Sequence, residues 1–164
     1  TVRFAKVAMP LLFVFAALLV VLTSVISAGY YLQAQLEAGS LCPTTMTFAA
    51  IPVLQNEPAL FAQLRDKLYS RQHDPRDLPI AQKTSILIGM GMTEKQGGSD
   101  LRSNSTRALP VAGGGRGAGC LLTGHKWFFS APMCDAHLVL ARSAATVPCP
   151  NVMFGTKRPS MTSI

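Results

Sequence analysis

The amino-terminal part of the chain is apolar without interruption, and only later do shorter, patterned stretches appear. Residues 7–36 contain no charged side chain, and the heart of this stretch, residues 8–28, is almost wholly apolar. About 20 such residues suffice to cross the hydrocarbon core of a bilayer. Pro10 falls in the first turn, where proline is tolerated. Thr23, Ser24 and Ser27 can return their hydroxyls to the helix backbone. Arg3 and Lys6 precede the stretch and Tyr30 and Tyr31 follow it, where interfacial anchors belong. The pattern predicts a long apolar helix over about residues 10–28 with the properties of a transmembrane span. The run is longer than a signal-peptide core, and no small-x-small cleavage site follows it.

Further on, Leu54, Leu60, Phe61, Leu64 and Leu68 recur at helical spacing among Gln, Glu, Arg and Lys. With Pro58 suited to a first turn, this predicts an amphipathic helix near residues 58–70 whose apolar side chains are core. The Asp and Pro of His73-Asp-Pro-Arg-Asp-Leu-Pro79 predict a loop, with His73 and Asp74 read as solvated neighbours rather than an acid/base pair. Ser85-Ile-Leu-Ile-Gly-Met-Gly-Met92 reads as a strand whose backbone something approaches closely. Residues 120–131 and 136–142 read as further strands, with Pro132 and Asp135 marking the turn between them. Gly-rich residues 109–119 predict a hairpin connection. A dinucleotide pattern forced through Gly113, Gly115 and Ala118 lacks the required strand before it and helix after it. Residues 143–164 hold three prolines and no sustained period, which predicts an irregular, disordered tail.

The 164 residues leave room for one domain with a sizeable core. A net charge of +7 favours anionic partners such as nucleic acid, phosphate-bearing cofactors or membrane surfaces. The 15 Lys and Arg are dispersed, however, and no run of five occurs, so a solvated basic surface is favoured over a nucleic-acid stripe. Cys42, Cys120, Cys134 and Cys149 form no C-x-x-C, and His73, His125 and His137 make no ligand-spaced pair. No metal site is expected, and the thiols read as those of a reduced cytosolic protein.

Two blocks carry the chemistry. Met92-Thr-Glu-Lys-Gln-Gly-Gly-Ser-Asp100 gathers hydroxyls and bare glycine backbone in one tight loop. Gly124-His-Lys-Trp-Phe-Phe-Ser130 offers a large aromatic plane and a hydroxyl on what reads as a strand. Together they supply donors for a pyrophosphate and for the polar edge of a ring, and a flat apolar surface to pack on it. The two blocks resemble the flavin-contacting loops of the acyl-CoA dehydrogenase superfamily, T-E-x-x-x-GSD and K-x-W-I-T-N. They are most similar to its alkylation-response, isovaleryl-CoA-dehydrogenase-like branch, which has Lys95 where ordinary members have proline. Residues 35–49, 86–92 and 135–142 are similar to that branch as well, so that the resemblance runs from about Tyr31 to Arg142.

The resemblance implies an α+β fold: a partial acyl-CoA dehydrogenase fold with N-terminal helices over residues 1–84, one long and apolar at about 8–28. An incomplete antiparallel middle β-domain would follow over residues 85–142, with the irregular tail at 143–164. It implies FAD as cofactor and oxidation of the CH–CH bond of an acyl thioester. The cofactor-binding residues would be Met90, Gly91, Met92, Thr93, Gly97, Gly98, Ser99, Trp127, Phe128, Phe129 and Ser130. Met92 and Thr93 would meet the pyrimidine end, Trp127 would lie against the isoalloxazine, and Phe128, Phe129 and Ser130 would line its N5 side. Glu94 would be structural. The family's catalytic glutamate and the branch's DNA-contacting surface belong to a C-terminal part that this sequence does not contain. The chain is therefore expected to be a fragment without a catalytic base, and the intact family to be homo-oligomeric with an acyl-CoA as partner.

At residues 8–28 the branch has a soluble amphipathic helix instead of an apolar one. A membrane anchor, a buried helix, and sequence from a translated intron or shifted frame remain alternatives. Localisation is accordingly membrane if the segment is genuine and cytoplasmic otherwise. The competing function is a non-catalytic, membrane-anchored remnant of the fold.

Overall fold

The computed structural model describes residues 2–111, 118–143, 152–156 and 162–163. The chain forms two compact units, Thr1–Leu41 and Cys42–Ile164.

The first unit is one helix, α1 (Val2–Leu36), 35 residues long. It outruns the predicted 10–28 at both ends because nothing stops it: Gly29 is an isolated glycine, and Gln33, Ala34, Gln35 and Leu36 are all good helix formers. The hydroxyls of Thr23 and Ser24 donate to Leu19 O at 2.7 Å and Val20 O at 2.8 Å, as expected of hydroxyls in an apolar helix. Beyond Leu36 the Glu37 carboxylate accepts the amides of Gly39 at 2.6 Å and Ser40 at 2.7 Å and turns the chain. Ala17–Leu36 is 20 residues long with mean hydropathy 1.6, and none of it is buried. At 1.5 Å per residue it is about 30 Å long, the thickness of a bilayer core.

In the second unit, α2 (Leu41–Leu54) buries Pro43, Thr47, Ala50 and Leu54, one stripe at helical spacing. Its other faces are also apolar, so sequence periodicity does not mark it. Leu54 ends this helix rather than opening the next. Asn56 caps the break by donating to Pro52 O at 3.0 Å. α3 (Pro58–Leu68) follows close to the predicted span, its Leu64 buried and Tyr69 closing it.

The β-part holds two sheets. In the first the order is β1 (Ile88–Gly91), β4 (Ala136–Leu140), β6 (Val152–Thr156) and β7 (Thr162–Ser163). In the second it is β3 (Cys120–Thr123), β2 (Arg107–Pro110) and β5 (Arg142–Ser143). Helices followed by sheets is the expected layout, but the strand pairing is mixed. β1 runs parallel to β4 and β2 parallel to β5, because a long excursion through the other sheet separates the partners of each pair. β2 and β3 pair antiparallel, with Pro110 opposite Cys120, so they flank the glycine-rich stretch as a hairpin. Residues 112–117 of that stretch, including Gly113 and Gly115, lie outside the described residues.

Three expectations are corrected. The strand predicted over 120–131 stops at Thr123, since Phe128 and Ala131 both take φ of 51°, which no strand accommodates. Residues 136–142 are not one strand but parts of two sheets, passing from one to the other at Ala141. The tail is not wholly irregular: β6 pairs antiparallel with β4 from Ala136↔Thr156 to Leu140↔Val152. Pro148 and Pro150 just before β6 mask its short apolar run in the sequence.

The main core joins α2 and α3 to the first sheet through Ala50, Leu54, Leu64, Ile86, Ile88, Ala136 and Leu138. Each large aliphatic side chain so buried contributes about 1.5–3 kcal/mol. A smaller cluster of Ala108, Cys120, Val139 and Ala141 joins the sheets, so that β4 is covered on both faces. Polar ties fix the layers: Ile88 N donates to Thr47 Oγ1 at 2.9 Å, and Lys83 Nζ to Asp135 Oδ1 at 2.6 Å.

Candidate functional site

The 92–100 loop leaves β1 and makes its turn at Gly97, whose φ of +102° favours glycine. The 3₁₀ segment Gly98–Ser103 follows. A Cβ on Gly98 would stand 3.1 Å from Thr93 Oγ1, so the Thr93 hydroxyl lies directly against the glycine backbone. The 124–131 segment meets this loop through its main chain. Trp127 N–H donates to Thr93 O at 2.9 Å, which brings the two predicted blocks together.

Glu94 holds the loop from beneath. Its carboxylate accepts Ser105 N at 2.6 Å, Ser105 Oγ at 2.8 Å, Thr106 N at 2.9 Å, Thr106 Oγ1 at 2.6 Å and Lys126 Nζ at 2.9 Å. Burial pushes its pKa up, but the hydrogen bonds from Thr106, Ser105 and Lys126 outweigh this and hold it well below the usual carboxylate range. A second strut runs from Gln96 Nε2 to Asn104 Oδ1 at 2.7 Å and from Asn104 Nδ2 to Met92 O at 2.7 Å. Glu94 is thus structural, as its place in the motif implies.

The predicted site residues divide into two groups. Gly98, Ser99, Phe128 and Ser130 are exposed, Trp127 is 39% exposed, and Thr93 and Gly97 are half-buried. These stand where a ligand could reach them. Met90 and Met92 instead pack their side chains on the main core. The Phe129 ring lies on the smaller core cluster and 4.6 Å from the His137 ring. A Cβ on Gly91 would fall 2.4 Å from Phe129, so that glycine is small because of a neighbouring ring. Sequence reasoning missed Asn104 and Thr106, which have no periodic or motif signal. Lys126 stood inside a recognised block, but nothing local pairs it with Glu94.

Away from this site, His73 is exposed, but Asp74 is buried rather than solvated. The Arg76 guanidinium and the Thr84 amide hold its carboxyl well below the usual carboxylate range. A cavity of about 830 Å³, lined by Thr44, Phe48, Ile51, Tyr69 and Arg71 among others, includes none of the predicted residues. Among the described residues no three His, Cys, Asp or Glu converge as metal ligands.

Comparison with known proteins gives the chain a family. Residues 89–155 match the middle domain of acyl-CoA dehydrogenases, and residues 23–75 match the N-terminal domain of the adaptive response protein AidB. The chain belongs to the acyl-CoA dehydrogenase superfamily, in its AidB-like branch. It is 55% identical over 124 residues to AidB of Escherichia coli (strain K12), an acyl-CoA dehydrogenase by name. The match covers 75% of this chain and 22% of that relative, so the chain spans under a quarter of the relative's length. Among solved structures it is similar to Bd2924 in its apo form, with TM-score 0.56 and 33% identity over 71% of this chain and 23% of the other. ACDH-11 of Caenorhabditis elegans in complex with C11-CoA gives TM-score 0.51 and 27% identity over 69% and 19%. The likeness thus begins inside α1, at residue 23, and continues into β6, to residue 155, beyond both ends inferred from the motifs.

Proposed function

We propose that this chain carries the flavin-contacting face of an FAD-dependent oxidoreductase of the acyl-CoA dehydrogenase type. The observation that supports it most is the main-chain bond from Trp127 to Thr93, which gathers a hydroxyl, open glycine backbone and an accessible indole in one place. Such a set suits a flat ring with a polar edge. The Thr93 hydroxyl and the Gly97 and Gly98 amides would serve the polar edge, Trp127 the ring face, and Ser99 and Ser130 further hydroxyl contacts. Met90, Gly91, Met92, Phe128 and Phe129 would shape the surroundings. When bound, FAD would supply the hydride acceptor for oxidation of the CH–CH bond of an acyl thioester. Glu94 is no proton acceptor, since it is buried and five donors occupy its oxygens. The base must therefore come from another carboxylate. An acyl-CoA and a second copy of the chain are proposed as partners of a longer protein, in keeping with the C11-CoA complex of ACDH-11.

Titration with FAD, followed through the single tryptophan, tests this reading. Thr93→Val is expected to weaken binding by about 1 kcal/mol, the worth of one hydrogen bond. Trp127→Ala, followed by flavin fluorescence, is expected to weaken it by about 2 kcal/mol, because it removes the aromatic face. Equal affinity in wild type and both variants rejects the assignment.

The exposed apolar surface of α1 favours a second reading, insertion into a bilayer, in which case the chain would be membrane-bound. The family match from residue 23 favours cover by further protein instead. Val21→Asp separates the two: a charge at the bilayer centre costs about 2.5–3.5 kcal/mol on insertion scales. Loss of detergent-dependent sedimentation in the variant supports insertion. A wild-type chain that stays in the supernatant without detergent rules it out.

A further inference from the structure

The 92–98 loop and the 124–131 segment are joined twice, at adjacent positions. Thr93 O accepts the Trp127 amide at 2.9 Å, and Glu94 Oε1 accepts Lys126 Nζ at 2.9 Å. The Thr93–Glu94 and Lys126–Trp127 peptide links close these two bonds into a ring. One bond would let the segments pivot about it, whereas two on neighbouring residues fix both spacing and angle. The ring is anchored below, because Ser105 and Thr106 at the start of β2 hold the same carboxylate through amides and hydroxyls. The Glu94 and Lys126 side chains are only 4% and 8% exposed, so solvent screens their attraction little. Both are more buried than Trp127 and Ser99, which are exposed.

We propose that Glu94 and Lys126 are positioning residues whose ion pair fixes how the Thr93 hydroxyl and the Trp127 indole stand to one another, and with it the surface that a planar ligand meets. The ligand is the flavin of the function proposed above and rests on that reading; the positioning itself does not. A merely stabilising pair would loosen the whole unit together, while a positioning pair loosens one joint. Hydrogen exchange separates these, read in the whole chain as the rate at the Trp127 amide relative to that at Leu138 in β4.

Lys126→Met is expected to raise this ratio by about tenfold, because the joint then opens without global unfolding. Lys126→Arg, which keeps the charge, should stay within about twofold of wild type. Leu64→Ala, which weakens the core elsewhere, should not raise the ratio. In the same samples Lys126→Met should weaken FAD binding by about fivefold, as expected for lost preorganisation. An unchanged ratio in Lys126→Met overturns the proposal, and so does an equal rise in Lys126→Arg. Should Lys126→Met fail to fold, Thr106→Val removes one hydroxyl donor from Glu94 at nearly constant shape. Its ratio should rise by about threefold, the worth of a modest hydrogen bond, and no rise overturns the proposal. If wild type binds no FAD, the flavin reading fails while the exchange ratio still decides the joint.

Discussion

Replacing Asp135 by alanine is expected to destabilise the second unit by about 3–5 kcal/mol, because it strands a buried ammonium group. Lys83 Nζ lies 2.6 Å from Asp135 Oδ1, and each side chain is only 6% exposed. The other carboxylate oxygen accepts the Leu87 amide at 2.9 Å, just before β1. The substitution thus removes a counter-charge and a backbone acceptor together. A domain's whole stability is about 5–15 kcal/mol, so the loss takes a large share of it. Urea denaturation reads this directly. Pairing Asp135→Leu with Lys83→Met should recover much of the loss, since a buried ion pair is often replaceable by apolar groups of similar size. A single-variant loss below about 1 kcal/mol would mean that the pair behaves like an exposed one.

Gly124→Val should cost about 3 kcal/mol, at the upper end of overpacking effects. A Cβ at Gly124 would lie 2.3 Å from Thr106 Oγ1 and 2.7 Å from Thr106 Cα. The second of these is backbone, so no rotamer change relieves the clash. Moving Thr106 would also disturb its two bonds to Glu94, at 2.9 and 2.6 Å. Gly97→Ala is a useful comparison: nothing stands within 4 Å of its Cβ, and only its positive φ is at stake. It should cost about 2 kcal/mol of backbone strain, because φ 102° with ψ 163° is a conformation nearly confined to glycine. Thermal or urea denaturation of the two variants checks the order, and a Gly124→Val protein as stable as wild type would contradict the packing described here.

Much of this protein is legible in its sequence because local pattern reports local geometry. The uncharged run over 7–36 could form only a long helix, and the spacing of Leu60, Phe61, Leu64 and Leu68 located α3 within a residue or two of its observed end. The two motif blocks carried the family and named Thr93 and Trp127. α2 escaped notice because it is apolar on nearly every face, which erases the contrast that marks a helix. The segment 124–131 looked like a strand because its aromatics suit one, yet Phe128 and Ala131 adopt left-handed backbone.

Tertiary structure alone decided which elements meet. Periodicity shows which face of a strand is buried but not what pairs with its edge. So the parallel partnership of β1 with β4, and the passage of 136–142 from one sheet to the other, could not be read in advance. The same holds for the buried ion pairs. Glu94 finds Lys126 across 32 residues and Lys83 finds Asp135 across 52. A charge in a sequence looks solvated until the fold removes the water around it, and only then must it have a partner. What the sequence by itself determined is the long apolar helix, α3 and the family that the two motif blocks mark. How Thr93 comes to face Trp127 was decided by packing, because the bonds that set it join residues that only the folded chain brings together.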